Sequence, residues 1–121
     1  MRERQRLQLN SCPKSLLADM RRTGYKIHLY YLWLPGFKLS LKRIAERVKR
    51  GGHNIPKEVV IRRYGRGLIN LFRHYMPLSD YCAIFDNSTT PNLVYERLLR
   101  EERIVDGKLF KTIKNQLEEV R

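Results

Sequence analysis

The amino-acid sequence predicts an α/β fold built on a parallel sheet. Two short runs rich in β-formers, residues 25–34 and 81–86, flank two stretches of helical periodicity. Strand, helix, helix, strand is the alternation that lays a second strand parallel to the first. Turn residues mark the boundaries: Gly24, Pro35-Gly36, Gly51-Gly52, Pro77 and Asn87-Ser88. The chain has 121 residues, 42% apolar and 31% charged, which suits one globular domain or part of one. No repeat, low-complexity tract or linker divides it.

Residues 15–23 read as a helix with Leu16, Leu17 and Met20 inward, ended by Gly24 as a left-handed cap. Residues 25–34 are nearly continuous in β-formers and too short for a buried helix. That pattern predicts a parallel strand covered on both faces, with Tyr30, Tyr31 and Trp33 in the core. Leu41, Ile44, Ala45 and Val48 follow at i, i+3, i+4, i+7, an amphipathic helix that stops at Gly51-Gly52. Pro56 opens the next helix, after Asn54 or Ile55 as cap. Ile61, Tyr64, Leu68, Leu71, Phe72 and Tyr75 carry helical spacing to about residue 75. Gly65 and Gly67 lie inside it, each costing about 1 kcal/mol against Ala, so close packing or a bend is expected there. Residues 81–86 are a second buried strand, with Cys82 in the core. Residues 93–99 and 103–105 read as weak strands, and 109–119 as a last helix. Two or three parallel strands leave a sheet edge unpaired. Marginal stability is therefore expected, with an exposed apolar patch around Tyr31 and Trp33.

The longest apolar run, residues 27–34, is interrupted by His28 and falls short of the ~20 residues of a membrane span. The start, Met1-Arg2-Glu3-Arg4, has no apolar signal segment behind it. Cys12 and Cys82 cannot make a disulfide scaffold, so a cytoplasmic, reducing location is expected. The formal net charge of +13 points to an anionic partner. Its place matters more than its sum. Residues 38–74 hold eleven basic and two acidic residues, whereas 75–121 hold seven and eight.

Arg43, Arg47 and Arg50 are spaced i, i+4, i+7 and form one stripe opposite the apolar face. Arg62, Arg63 and Arg66 lie on the first turns of the next helix. Two arginine-bearing helices thus meet at a glycine turn. Guanidinium groups bind phosphate oxygens bidentately and stay charged. A solvated basic face is the alternative; seven Arg against four Lys in the block favours phosphate. His53 reads as a turn residue that caps the helix or touches a phosphate. Asp86-Asn87-Ser88 stands at the carboxyl end of the second strand, the edge where open α/β sheets bind ligands. It is also ordinary turn chemistry. His28 and His74 pair with no cysteine at metal-ligand spacing, so no metal site is expected. No Ser-His-Asp or Cys-His arrangement has local support. Aromatic residues are not interleaved with the basic block, and the inter-helix turn does not match helix-turn-helix, which disfavours nucleic acid.

One ordered set remains. It runs Leu32-Trp33-Leu34-Pro35, then Arg43-x-x-x-Arg47-x-x-x-Gly51-Gly52-His53-x-Ile55-Pro56-x-x-Val59-x-x-Arg62-Arg63-Tyr64-x-Arg66-Gly67-Leu68, then Asp86-Asn87-Ser88. It resembles the C-terminal half of the zeta-toxin-like P-loop ATPases and kinases, from about residue 25 to 88 and more loosely through both ends. The resemblance implies an incomplete P-loop kinase-like parallel sheet with an arginine-rich helical lid, about residues 38–76, over ATP. Arg43, Arg47, Arg62 and Arg63 match lid positions, and Arg50 continues the stripe; together they would face nucleotide phosphates. Asp86, Asn87 and Ser88 would lie on the base side. Zeta toxins proper phosphorylate a UDP-linked amino sugar; the wider relatives are mostly of unassigned substrate.

The sequence also departs from that family. Its phosphate-binding loop, Gly-x-x-x-x-Gly-Lys-Ser/Thr, has no match here. The sole Gly-Lys, Gly107-Lys108, has Glu102 where the earlier glycine belongs and no following hydroxyl. Residues 7–14 sit where the family has an acidic, Thr-rich strand end, and do not match it. The expectation is therefore a single partial domain, residues 1–121, inactive alone, with ATP affinity weak or lost. Mg²⁺ would enter only with a P-loop half. The implied partners are a nucleotide and a separate chain bearing the P-loop half, or an antitoxin, with no membrane. The alternative is a non-catalytic basic module binding RNA or a P-loop-bearing chain. A functional split protein and a gene remnant both fit the pattern.

Overall fold

A computed structural model describes residues 14–120. Cys12 and the segment before residue 14, compared above with the family's acidic strand end, lie outside the described residues. Helix α1 (Lys14–Arg22) stops where Gly24 turns left-handed at φ 97°. Strand β1 (His28–Trp33) leads through Pro35-Gly36 into α2 (Phe37–Lys49) and then α3 (Lys57–Asn70). Pro56 itself caps α3 and no side chain assists it, so neither Asn54 nor Ile55 is the cap. The helical path runs on through a wide π turn (Leu71–Tyr75) and a 3-10 turn (Met76–Leu78) holding Pro77. Strand β2 (Tyr81–Asp86), β3 (Asn92–Leu98), β4 (Glu101–Ile104) and α4 (Gly107–Glu119) follow.

The four strands form one mixed sheet in the order β1-β2-β3-β4. Only β1 and β2 are parallel, with His28 opposite Tyr81 and Trp33 opposite Asp86. β3 and β4 are antiparallel to their neighbours, which corrects the expectation of an all-parallel sheet. The reason lies in the connections. Five residues join β2 to β3 and two join β3 to β4, and a parallel return needs a dozen or more. Asp80 fastens the start of the parallel pair: its Oδ2 accepts the Ile27 N–H at 2.7 Å, and its own N–H donates to Ile27 O at 2.8 Å.

The core lies on one face. Leu29 and Trp33 of β1, Cys82 and Ile84 of β2, and Tyr95 of β3 join Leu17, Leu68, Leu71 and Ile113 from the helical layer. Tyr95 stacks on Phe110 of α4, centroids 4.6 Å apart. β1 alternates instead of being covered on both faces: Tyr30 and Leu32 are 58% and 55% exposed, while Trp33 is 1% exposed. The apolar patch is therefore not around Tyr31 and Trp33, which point to the helices. It lies on the even-numbered side, where Tyr30 sits beside Tyr81 and Phe85. A run of β-formers does not itself say which side is covered; the position of the helices does.

The two interior glycines of α3 differ. A Cβ at Gly65 would meet Val120 at 3.4 Å, ordinary contact, whereas one at Gly67 would stand 3.1 Å from the hydroxyl of the half-buried Tyr31. Gly65→Ala should stabilise the fold by about 0.5–1 kcal/mol through helix propensity. Gly67→Ala should fall short of that gain or lose stability. Urea unfolding of the two variants measures the difference, and equal gains would show that Tyr31 yields freely.

On the outer strands, the Tyr81 hydroxyl donates to Glu96 Oε2 at 2.6 Å and Arg103 Nε donates to Oε1 at 2.9 Å. These bonds hold the Glu96 carboxyl below its usual value, and the same carboxylate pushes the Tyr81 phenol up to about 12. The Glu96 contribution is present above the ordinary carboxylate pKa and is lost as pH falls through the lowered one. The Tyr81 contribution is present below the ordinary phenol pKa of 10.0 and is lost as pH rises through about 12. The melting midpoint should hold level between these limits and decline outside them. Tyr81→Phe should make both declines shallower in a pH series of thermal melts.

Candidate functional site

The carboxyl ends of β1 and β2 lie side by side, because the two strands are parallel and in register. Two loops leave that edge, Leu34-Pro35-Gly36 and Asn87-Ser88. Each is held by a short network. The Asn87 N–H donates to Trp33 O at 2.8 Å, extending the ladder by one bond. Asp86 Oδ1 accepts the Ser88 N–H at 3.0 Å and folds the loop back on itself. On the other side, Gln116 of α4 joins three elements. Its Oε1 accepts from Trp33 Nε1 at 3.0 Å and its Nε2 donates to Pro35 O at 2.8 Å. The Tyr64 hydroxyl of α3 bonds to that Oε1 at 3.1 Å and to Leu34 O.

Above this edge stands the α2–α3 hairpin. α2 has no fully buried residue, and α3 buries only Val60 and Leu68. The turn between them needs its glycines. Gly51 is left-handed at φ 96°, and a Cβ on Gly52 would lie 3.0 Å from Arg47 O, which accepts the Gly52 N–H at 2.9 Å. Arg47, Arg50, Arg62, Arg63 and Arg66 are exposed on the hairpin, as is His53. The ion pairs between described residues, Arg22–Asp19 and Arg103–Glu96, lie outside it. The hairpin's arginines therefore stand without carboxylate partners in those pairs. Between hairpin and β1 lies a cleft of about 270 Å³, lined by Leu34, Ile44, Ile55, Val60, Arg63 and Tyr64.

Of the sequence-selected residues, Arg43, Asn87 and Ser88 meet at one point. Arg43 Nη2 of α2 donates to Asn87 O at 2.7 Å and reaches Ser88 O at 3.3 Å. The arginine block and the Asp86-Asn87-Ser88 loop are thus in direct contact. Arg47, Arg50, Arg62 and Arg63 share the hairpin with Arg43 but make no described bond to the loop. Gln116 and Asp80 were not selected from the sequence. A glutamine in an amphipathic helix and an aspartate before a strand carry no local signal of such long-range bonds. Among the described residues, no group of three His, Cys, Asp or Glu gathers as a metal site. No helix among them is long and apolar enough to cross a membrane.

No family model matches the chain, and no solved structure matches it. An uncharacterized protein of Haemophilus influenzae is 35% identical over 48 residues, 40% of this chain. The matched stretch spans 34% of that relative's length.

The excess of basic residues on the hairpin leads to a salt prediction. Raising NaCl from 0.1 to 1 M shortens the screening length from about 10 Å to about 3 Å and relieves repulsion among like charges. The melting midpoint should rise over that range. The rise should be smaller in Arg62→Gln/Arg63→Gln; an equal rise would mean that the hairpin charges do not repel appreciably in the native state.

Proposed function

We propose that the chain supplies the arginine lid of a zeta-toxin-like, ATP-dependent kinase or ATPase site. One observation carries the reading: the arginine hairpin is bonded through Arg43 to the loop at the carboxyl edge of the parallel strand pair. That edge is where open α/β sheets take their ligands. Exposed guanidinium groups in the hairpin suit nucleotide phosphates, and in phosphoryl transfer such groups offset charge on the transferring phosphoryl. Asn87 and Ser88 then stand on the base side.

The chain alone is not expected to transfer a phosphoryl group. Gly107-Lys108 opens α4, but Asp106 caps that helix and accepts the Leu109 N–H at 3.1 Å. An aspartate at that position takes an amide a phosphate would need, and its charge repels phosphate. The Lys and hydroxyl that hold phosphates and Mg²⁺ would come from a P-loop half. A second reading, a basic module that docks on a P-loop-bearing partner without catalysis, is favoured by the exposed Tyr30 and Leu32 side of β1.

Calorimetry of the purified chain with ATP tests the lid. Weak binding is expected with or without Mg²⁺. Affinity should fall about tenfold or more in Arg47→Ala/Arg62→Ala, the scale of losing charge-assisted bonds. Unchanged affinity would remove the lid assignment, and ATP turnover by the chain alone would overturn its dependence on a P-loop half.

A further inference from the structure

The arginines of the hairpin are not equivalent. Arg47, Arg50, Arg62 and Arg63 are exposed, whereas Arg43 is half-buried with one terminal nitrogen directed at two main-chain carbonyls. Those carbonyls belong to adjacent residues, Asn87 and Ser88, in a loop already fixed on two sides. Asn87 is tied back to β1 through Trp33 O, and Ser88 is tied to Asp86. α2 buries no residue completely, so few contacts set its angle on the sheet. A charged donor to a partly buried carbonyl is among the stronger single contacts a surface helix can make.

We propose that Arg43 is a positioning residue that latches α2 to the β2–β3 loop, leaving phosphate contact to Arg47, Arg50, Arg62 and Arg63. The latch makes the hairpin's orientation and the shape of the loop a single variable. When residues 86–88 shift to receive a base, Arg43 moves α2 with them, and the exposed arginines follow. When the loop is distorted, the hairpin loosens. Conversely, a hairpin drawn onto phosphates pulls on Asn87 and Ser88. The phosphate half of this inference rests on the lid reading above; the latch itself does not.

The experiment uses two readouts on the whole chain. The first is amide hydrogen exchange of wild type, Arg43→Ala, Arg43→Lys and Arg47→Ala. Arg43→Ala should speed exchange about tenfold in both α2 and the loop after β2, because opening free energies are local. Arg47→Ala should leave both segments unchanged. Lysine keeps the charge but is a single point donor on a different geometry, so Arg43→Lys should exchange like Arg43→Ala. The second readout is calorimetry with ATP and with inorganic tripolyphosphate. Arg43→Lys should bind tripolyphosphate within about twofold of wild type while losing ATP affinity, since only ATP engages the base side.

Unchanged exchange in Arg43→Ala, or faster exchange in only one of the two segments, overturns the latch. Should Arg43→Ala fail to fold, Arg43→Lys carries the same exchange comparison. A loss of tripolyphosphate affinity in Arg43→Lys as large as that in Arg47→Ala makes Arg43 a phosphate ligand and overturns the division of roles. If wild type binds neither ATP nor tripolyphosphate, the lid reading fails and the phosphate roles fail with it, while the latch is decided by exchange alone.

Discussion

The parallel pairing of β1 with β2 is the constraint on which the rest of the structure depends. Parallel neighbours cannot be joined by a tight turn, so the chain must leave the sheet after Trp33 and return before Tyr81. Everything basic in the centre of the sequence sits in that excursion. The pairing is fastened at both ends, by Asp80 against Ile27 and by Asn87 against Trp33. The second fastening has a further result. It sets the loop after β2 directly beside the loop that begins the excursion, so α2 starts next to Asn87, while the chain returns to the sheet at the opposite edge, before Tyr81. The contact between Arg43 and Asn87 is a product of that geometry.

The sheet is asymmetric about this pair. One side receives the helical layer, with Trp33 and Ile84 at its centre. The other side shows Tyr30 and Leu32. Parallel strands are usually shielded on both sides, and β1 is a parallel strand whose even-numbered side chains are exposed. β3 and β4 are better suited to such a surface, because alternation gives them Glu96 and Arg103 there. The same sheet thus combines a strand made for an interior with strands made for water.

Much of this was legible in the sequence, for identifiable reasons. Residues 81–86 are bounded by turn chemistry on both sides, and β2 has those limits. Gly24 is placed by the sequence as a left-handed cap and is left-handed, and the helix before Gly51-Gly52 stops at Lys49. What failed depended on distant partners. The direction of β3 and β4 is the exception, because the five- and two-residue connections that set it are local. The β3–β4 turn, Leu99-Arg100, offers no Asn-Gly signature, and Leu99 takes φ 57° without one. The run from Tyr25 to Leu34 gave no period, so covered and open sides could not be told apart. Arg43 looked like every other member of its stripe, because a carbonyl more than forty residues away leaves no mark on local spacing. The same holds for Gln116, whose partners lie on β1 and α3.

The π turn at Leu71–Tyr75 offsets the phase of the helical path that begins with α3. A wide turn holds one residue more than an α-helical turn would, and one residue is about 100° of rotation. Upstream, the helix is clocked by the hairpin: Arg62 and Arg63 outward, Gly67 against Tyr31. Downstream, it is clocked by the core: Tyr75 and Met76 inward, just before Asp80 fixes the next strand. The extra residue acts as a phase shifter, offsetting the segment after it from the arginine-bearing segment before it. Restoring regular α-helical pairing at Leu71–Tyr75 would therefore turn Tyr75 and Met76 by about 100° relative to the arginine segment.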